Sequence, residues 1–123
     1  MNQHSQTHTI KFQLDDALFH QLITDPNLLI NHDSFDTIQL SSFILNHIED
    51  LDGAPELTDF RMDRWRFDSE TKTGKFRLHF AINRRFCCSD QESCRTDYLD
   101  FSFSYANQNF EATANYFDWT VSA

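Results

Sequence analysis

The spacing of apolar residues changes character part-way along this chain. From Asp15 to Leu51 they recur at intervals of three and four, and from Thr58 onward they alternate. Ahead of both, Ile10, Phe12 and Leu14 alternate weakly, which reads as a short strand over Thr7 to Leu14. Asp15 then fits a helix N-cap, with Leu18, Phe19, Leu22 and Ile23 on one face. Asp25-Pro26 reads as a second helical start, because proline is tolerated at the first helical position, and Leu28, Leu29 and Ile30 come next. A longer helix is expected from Thr37 to Leu51, capped by Asp36. Its apolar stripe is Leu40, Phe43, Ile44, Ile48 and Leu51, with Gly53 as the stop and Pro55 beyond it.

Beyond Thr58, Phe60 and Met62 share one parity while Trp65 and Phe67 share the other, so a bulge is expected near Asp63-Arg64. Phe76, Leu78, Phe80, Ile82 and Phe86 alternate with Lys75, Arg77, His79, Asn83 and Arg85 in the cleanest strand of the chain. Leu99, Phe101, Phe103 and Tyr105 alternate with polar neighbours up to Asn107-Gln108, a two-residue hairpin turn in which asparagine readily takes φ > 0. The final strand offers Phe110, Ala112, Ala114 and Tyr116, then changes parity toward Phe117, Trp119 and Val121. Pairing Tyr105 with Phe110 sets Phe103 by Ala112 and Phe101 by Ala114, large against small.

These elements predict an α+β fold. Two or three N-terminal helices pack on one face of a four-stranded, or at most five-stranded, antiparallel sheet. The 123 residues suit a single domain, with residues 1–7 expected as a flexible tail. No apolar run approaches the length of a membrane span, and Met1 to Thr9 carries no secretory signal, so the expected compartment is the cytoplasm. Cys87, Cys88 and Cys94 are an odd, clustered set. They are expected as reduced thiols rather than a disulfide framework.

Charge is segregated. The first sixty residues carry ten Asp and Glu against Lys11 alone, for a formal −9; residues 61–95 carry +4 and the remainder −4. The pI is near 4.8. Arg61, Arg64, Arg66, Lys75, Arg77 and Arg85 can form one basic sheet face, which with Trp65 and Tyr98 has the makings of a single-stranded nucleic-acid platform. Asp63, Asp100 and Glu111 fall on the same face, so a ladder of cross-strand ion pairs is the favoured reading, and a net −9 opposes direct nucleic-acid binding. Asp15, Asp25 and Asp36 are explained as helix caps. Glu49, Asp50 and Asp52 stand at the helix end that disfavours acids, which marks them for another role.

Enzyme signatures are missing. Two isolated glycines allow neither a phosphate loop nor a dinucleotide fingerprint, and no Gly-X-Ser-X-Gly elbow occurs. Cys87, Cys88, Cys94 and His79 have metal-ligating types but the wrong spacing for a zinc site, so no metal and no cofactor is expected. The leading expectation is a small acidic, non-catalytic inhibitor of bacterial or phage type, of the immunity, toxin-antagonist or anti-defence kind. It would bind a basic protein such as a nuclease or nucleic-acid-binding protein through Asp33, Asp36, Glu49, Asp50, Asp52, Glu56 and Asp59. The alternatives are a small-ligand module or enzyme with a pocket lined by Trp65, His79, Tyr116 and Trp119, and nucleic-acid binding by the Arg-rich strands. An exposed edge strand also suits a homodimer.

Overall fold

The computed structural model describes residues 7–48, 53–86 and 91–115. In chain order the elements are β1 (Thr7–Gln13), α1 (Asp16–Thr24), a 3₁₀ turn (Pro26–Leu29), α2 (Thr37–Asn46), β2 (Glu56–Asp68), β3 (Thr73–Phe86), β4 (Gln91–Ala106) and β5 (Asn109–Asn115). The class is α+β, with two α-helices and a five-stranded, fully antiparallel sheet in the order β1-β5-β4-β3-β2. Thr7 belongs to β1 rather than to a tail. No helix among the described residues is long and apolar enough to cross a membrane.

The hairpin chemistry acts as expected. Asn107 and Gln108 take φ of 53° and 65°, the mirror-image turn that matches strand twist. Tyr105 pairs with Phe110, Phe103 with Ala112 and Phe101 with Ala114. β2 carries the expected bulge, with Arg64 at φ 58°, and also a second one at Asp59, again φ 58°. Each bulge adds a residue to β2 and flips the parity of the residues beyond it.

The sheet therefore has one apolar and one polar face. Phe76, Leu78, Phe80, Ile82, Leu99, Phe101, Phe103, Phe110, Ala112 and Ala114 are buried, and belong to one core cluster with Leu14, Phe19, Leu22, Leu29, Leu40 and Ile44. Phe19 is the principal α1 contact. Its ring stacks on Tyr105 at 3.8 Å and 7°, and meets Trp65, Phe67 and Phe103 edge-on. The Tyr105 hydroxyl reaches Leu14 O at 2.7 Å and an Asp16 carboxylate oxygen at 2.6 Å, tying β4 to the start of α1. The Asn27 carboxamide oxygen accepts from Met62 N–H at 2.6 Å, tying the 3₁₀ turn to β2.

The helices depart from the sequence reading in three places. Asp15 caps α1 and Asp36 caps α2 through their side chains, but Asp25 makes no side-chain cap. α2 ends at Asn46 instead of Leu51. There the His47 ring donates from Nδ1 to Phe43 O at 2.8 Å, occupying the carbonyl that the next helical N–H would need, and His47 N–H turns to Ile44 O. Gly53 is not the stop of that helix. Its φ is +77° and its carbonyl accepts from Arg85 N–H at 2.7 Å, so it leads into β2 beside β3.

Candidate functional site

Two surfaces carry the sequence candidates, the outer side of the helical segment and the polar face of the sheet. Between Leu14 and Ile48 the chain has no Lys or Arg, and Asp15, Asp16, Asp25, Asp33 and Asp36 are all exposed. Asp15 and Asp36 accept from backbone N–H groups, and Asp16 accepts from Tyr105. Among the described residues, the carboxylates of Asp25 and Asp33 have no partner. Two large apolar side chains are exposed on the same segment, Ile23 at 56% and Ile38 at 78%. Each stands two residues from an aspartate, Ile23 from Asp25 and Ile38 from Asp36.

The candidate acids do not form one cluster. Asp36 lies toward β1, where its charge acts on His8; burial lowers the pKa of the His8 ring and Asp36 opposes that. His32, the neighbour of Asp33, stacks on Phe12 of β1 at 4.8 Å. Glu56 and Asp59 are exposed on β2, the opposite edge strand of the sheet. Glu49, Asp50 and Asp52 lie outside the described residues. α2 closes at Asn46, so its C-terminal turn stops short of all three.

On the polar face, acids meet bases as the ladder reading expects. Arg77 holds Asp100 bidentately, Nε to Oδ1 at 2.7 Å and Nη2 to Oδ2 at 3.0 Å, and its guanidinium lies 3.8 Å over the Tyr98 ring. The Asp100 bond raises the Arg77 pKa above its usual value. His79 Nε2 is 2.8 Å from Asp63 Oδ1, and Arg61 is 3.3 Å from the other oxygen. Desolvation pushes the Asp63 carboxyl upward, but the His79 hydrogen bond and the charges of His79 and Arg61 outweigh it and hold the group below the ordinary carboxylate range. Lys11 and Glu111 pair at 3.8 Å. Arg64, Arg66 and Lys75 have no acidic partner among the described residues, and Arg66 stands directly opposite Lys75.

Trp65 and His79 do not share a pocket. The bulge at Arg64 turns Trp65 to the apolar side, where it stacks on Phe76 and Phe103, while His79 faces Asp63 and Tyr98 on the polar side. Tyr116 and Trp119 lie outside the described residues, as do Cys87 and Cys88. Cys94 is a free, exposed thiol. No polar or charged residue is buried among the described residues. A cleft of about 490 Å³ lies between α1 and the β4–β5 turn, lined by Asp16, Phe19, His20, Lys72 and Tyr105. Another of about 750 Å³ lies at the Gly53 end, lined by Glu56, Thr58, Asn83, Arg85 and Cys94. Neither is lined by Trp65 or His79.

Comparison with protein-family models, with curated proteins and with solved structures finds no match for this chain.

Proposed function

We propose that the protein is a non-catalytic, stoichiometric binder of a basic protein surface, acting in the cytoplasm. In this reading the helices form a layer over the apolar face of the sheet, and the outer side of that layer is the docking surface. One observation carries it: the stretch from Leu14 to Ile48 carries five exposed aspartates, two exposed isoleucines and no Lys or Arg. Carboxylates of one sign raise the encounter rate with a basic partner and reject acidic ones. The isoleucines supply apolar anchors that a purely solubilising acidic surface does not need. Asp25 and Asp33 are the residues to test first, because neither has a structural partner among the described residues. Glu49, Asp50 and Asp52 continue the same acidic run in sequence. A nuclease or another nucleic-acid-binding protein is the class of target that offers the matching basic surface.

The test compares what the wild type and an Asp25→Lys/Asp33→Lys variant retain from a lysate of the native host at about 50 mM salt, where screening is weak. Basic proteins retained by the wild type and released by the variant support the reading. A second variant reverses Glu49, Asp50 and Asp52 together. Equal retention by all three proteins at low salt overturns it.

A further inference from the structure

We propose that the outer edge of β1 takes up an extended basic segment of the partner as a sixth strand of the sheet. This rests on the acidic-surface reading and adds where and how the partner docks. The orientation of β1 is set by its ladder. Leu14 N–H donates to Gln108 O at 2.8 Å, and the register continues as Phe12 with Phe110, Ile10 with Ala112 and His8 with Ala114. Antiparallel ladders exchange hydrogen bonds at every second pair, so these even-numbered residues turn their backbone toward β5. Thr9, Lys11 and Gln13 therefore turn their N–H and C=O groups outward. Among the described residues nothing bonds those groups, and all three residues are exposed.

The opposite edge is guarded. β2 is interrupted by two bulges, and its outward Met62 N–H is already taken by Asn27. β1 has neither device: its seven residues pair with β5 without a register shift. Unpaired edge groups of this kind supply main-chain affinity for an added strand, while alternate side chains of the incoming segment select for sequence. The surroundings favour a basic segment. Asp36 is close enough to β1 to act on His8, and Asp33 adjoins the His32 ring stacked on Phe12. Lys11 is the one base on the strand, and it already leans toward Glu111. A second copy of this chain would bring its own net −9 to the contact, which disfavours self-pairing relative to a cationic strand.

The probe is an eight-residue peptide of alternating Lys and Val, with a Glu-Val peptide as its counterpart, added to the full chain. Amide hydrogen exchange is monitored residue by residue. The expected result is slowed exchange at Thr9, Lys11 and Gln13 with the Lys peptide and none with the Glu peptide. Lys11→Pro removes an outward N–H without touching the β5 ladder, and its ring obstructs the approach, so affinity should fall about tenfold or more relative to Lys11→Ala. Equal affinity of these two variants overturns strand addition, as does peptide binding that leaves the β1 amides exchanging freely. Should Lys11→Pro fail to fold, the wild-type exchange pattern alone decides. If Asp25→Lys/Asp33→Lys abolishes partner retention while Lys11→Pro does not, the acidic-surface reading stands and strand addition falls. If sedimentation at about 100 μM shows a dimer with protected β1 amides, the edge belongs to a second copy and the proposal is overturned.

Discussion

Replacing Tyr105 with Phe isolates one hydroxyl that joins the sheet to the first helix. The ring stays stacked on Phe19 at 3.8 Å, so packing is conserved and only the bonds to Leu14 O and to Asp16 are lost. Leu14 is 1% exposed, so its carbonyl loses a partner that water cannot easily replace, whereas the exposed Asp16 carboxylate is rehydrated at little cost. A lost hydrogen bond that leaves a buried acceptor unsatisfied costs about 1–3 kcal/mol, and about 2 kcal/mol is expected here. With an unfolding entropy of about 2.1 cal/mol/K per residue, that lowers Tm by roughly 8 °C for a chain of this size. Thermal unfolding monitored by circular dichroism measures it. The pH dependence supplies an independent check. Burial, then the Asp16 hydrogen bond and charge, hold the Tyr105 hydroxyl well above the ordinary tyrosine range. A group raised in the folded state contributes fully below its unfolded pKa, about 10, and loses that contribution as pH rises beyond it, by about 1.4 kcal/mol per pH unit. The gap between wild type and Tyr105→Phe should therefore be constant at neutral pH and narrow above pH of about 10. A Tm within about 2 °C of wild type, with alkaline curves that stay parallel, would refute the bridging role.

The geometry sets three further outcomes. Gly74→Ala should destabilise by about 3 kcal/mol or prevent folding, as chemical denaturation will show, because a Cβ there meets Arg66 O and lies 2.5 Å from Phe103 Cζ. Asp63→Asn should make stability less acid-sensitive: a carboxyl held low in the folded state contributes above its unfolded pKa and loses that as pH falls, so the two urea midpoints should converge below pH of about 4. Asp36→Ser keeps an N-cap on α2 but removes the charge that acts on His8. The His8 midpoint in an NMR titration should drop further, and an unchanged midpoint would separate Asp36 from the β1 edge.

Much of the sheet is legible in the sequence because its period is two and its turns are chemically marked. Asn107-Gln108 fixes the register of β4 with β5, whereas the register that sets Arg77 opposite Asp100 belongs to β3 and β4 and is not marked by that turn. The bulge at Arg64 shows as the parity change between Met62 and Trp65. The one at Asp59 leaves an equivalent trace in the three-residue spacing of Leu57 and Phe60, visible only if the strand is started at Glu56. The end of α2 is harder to read. Ile48 and Leu51 continue the apolar period, and the stop comes from an imidazole competing for a carbonyl, which no periodicity encodes. The acidic candidates share a charge but not a place, since adjacency in sequence says nothing of which edge of the sheet a segment reaches.

The bulges of β2 connect the site to the fold. Arg64 and Asp59 hold φ near +58°, a conformation that costs non-glycine residues about 1 kcal/mol or more each. That strain has two results. It turns Trp65 and Phe67 into the aromatic cluster around Phe19, on the side of the sheet away from His79. It also breaks the regular edge of β2. With β2 irregular and its Met62 N–H held by Asn27, the sheet keeps one regular open edge among its described residues, and that edge is β1, near Asp36. The bulges that part Trp65 from His79 are thus the same ones that leave β1 as the regular edge. Substituting Gly at Asp59 and Arg64 should relieve the strain without closing the bulges, and should leave peptide pairing at β1 unchanged. A variant that deletes both bulged residues should give β2 a regular edge. Peptide protection that then appears on β2 amides would show that edge regularity, rather than the nearby acids, selects the docking strand.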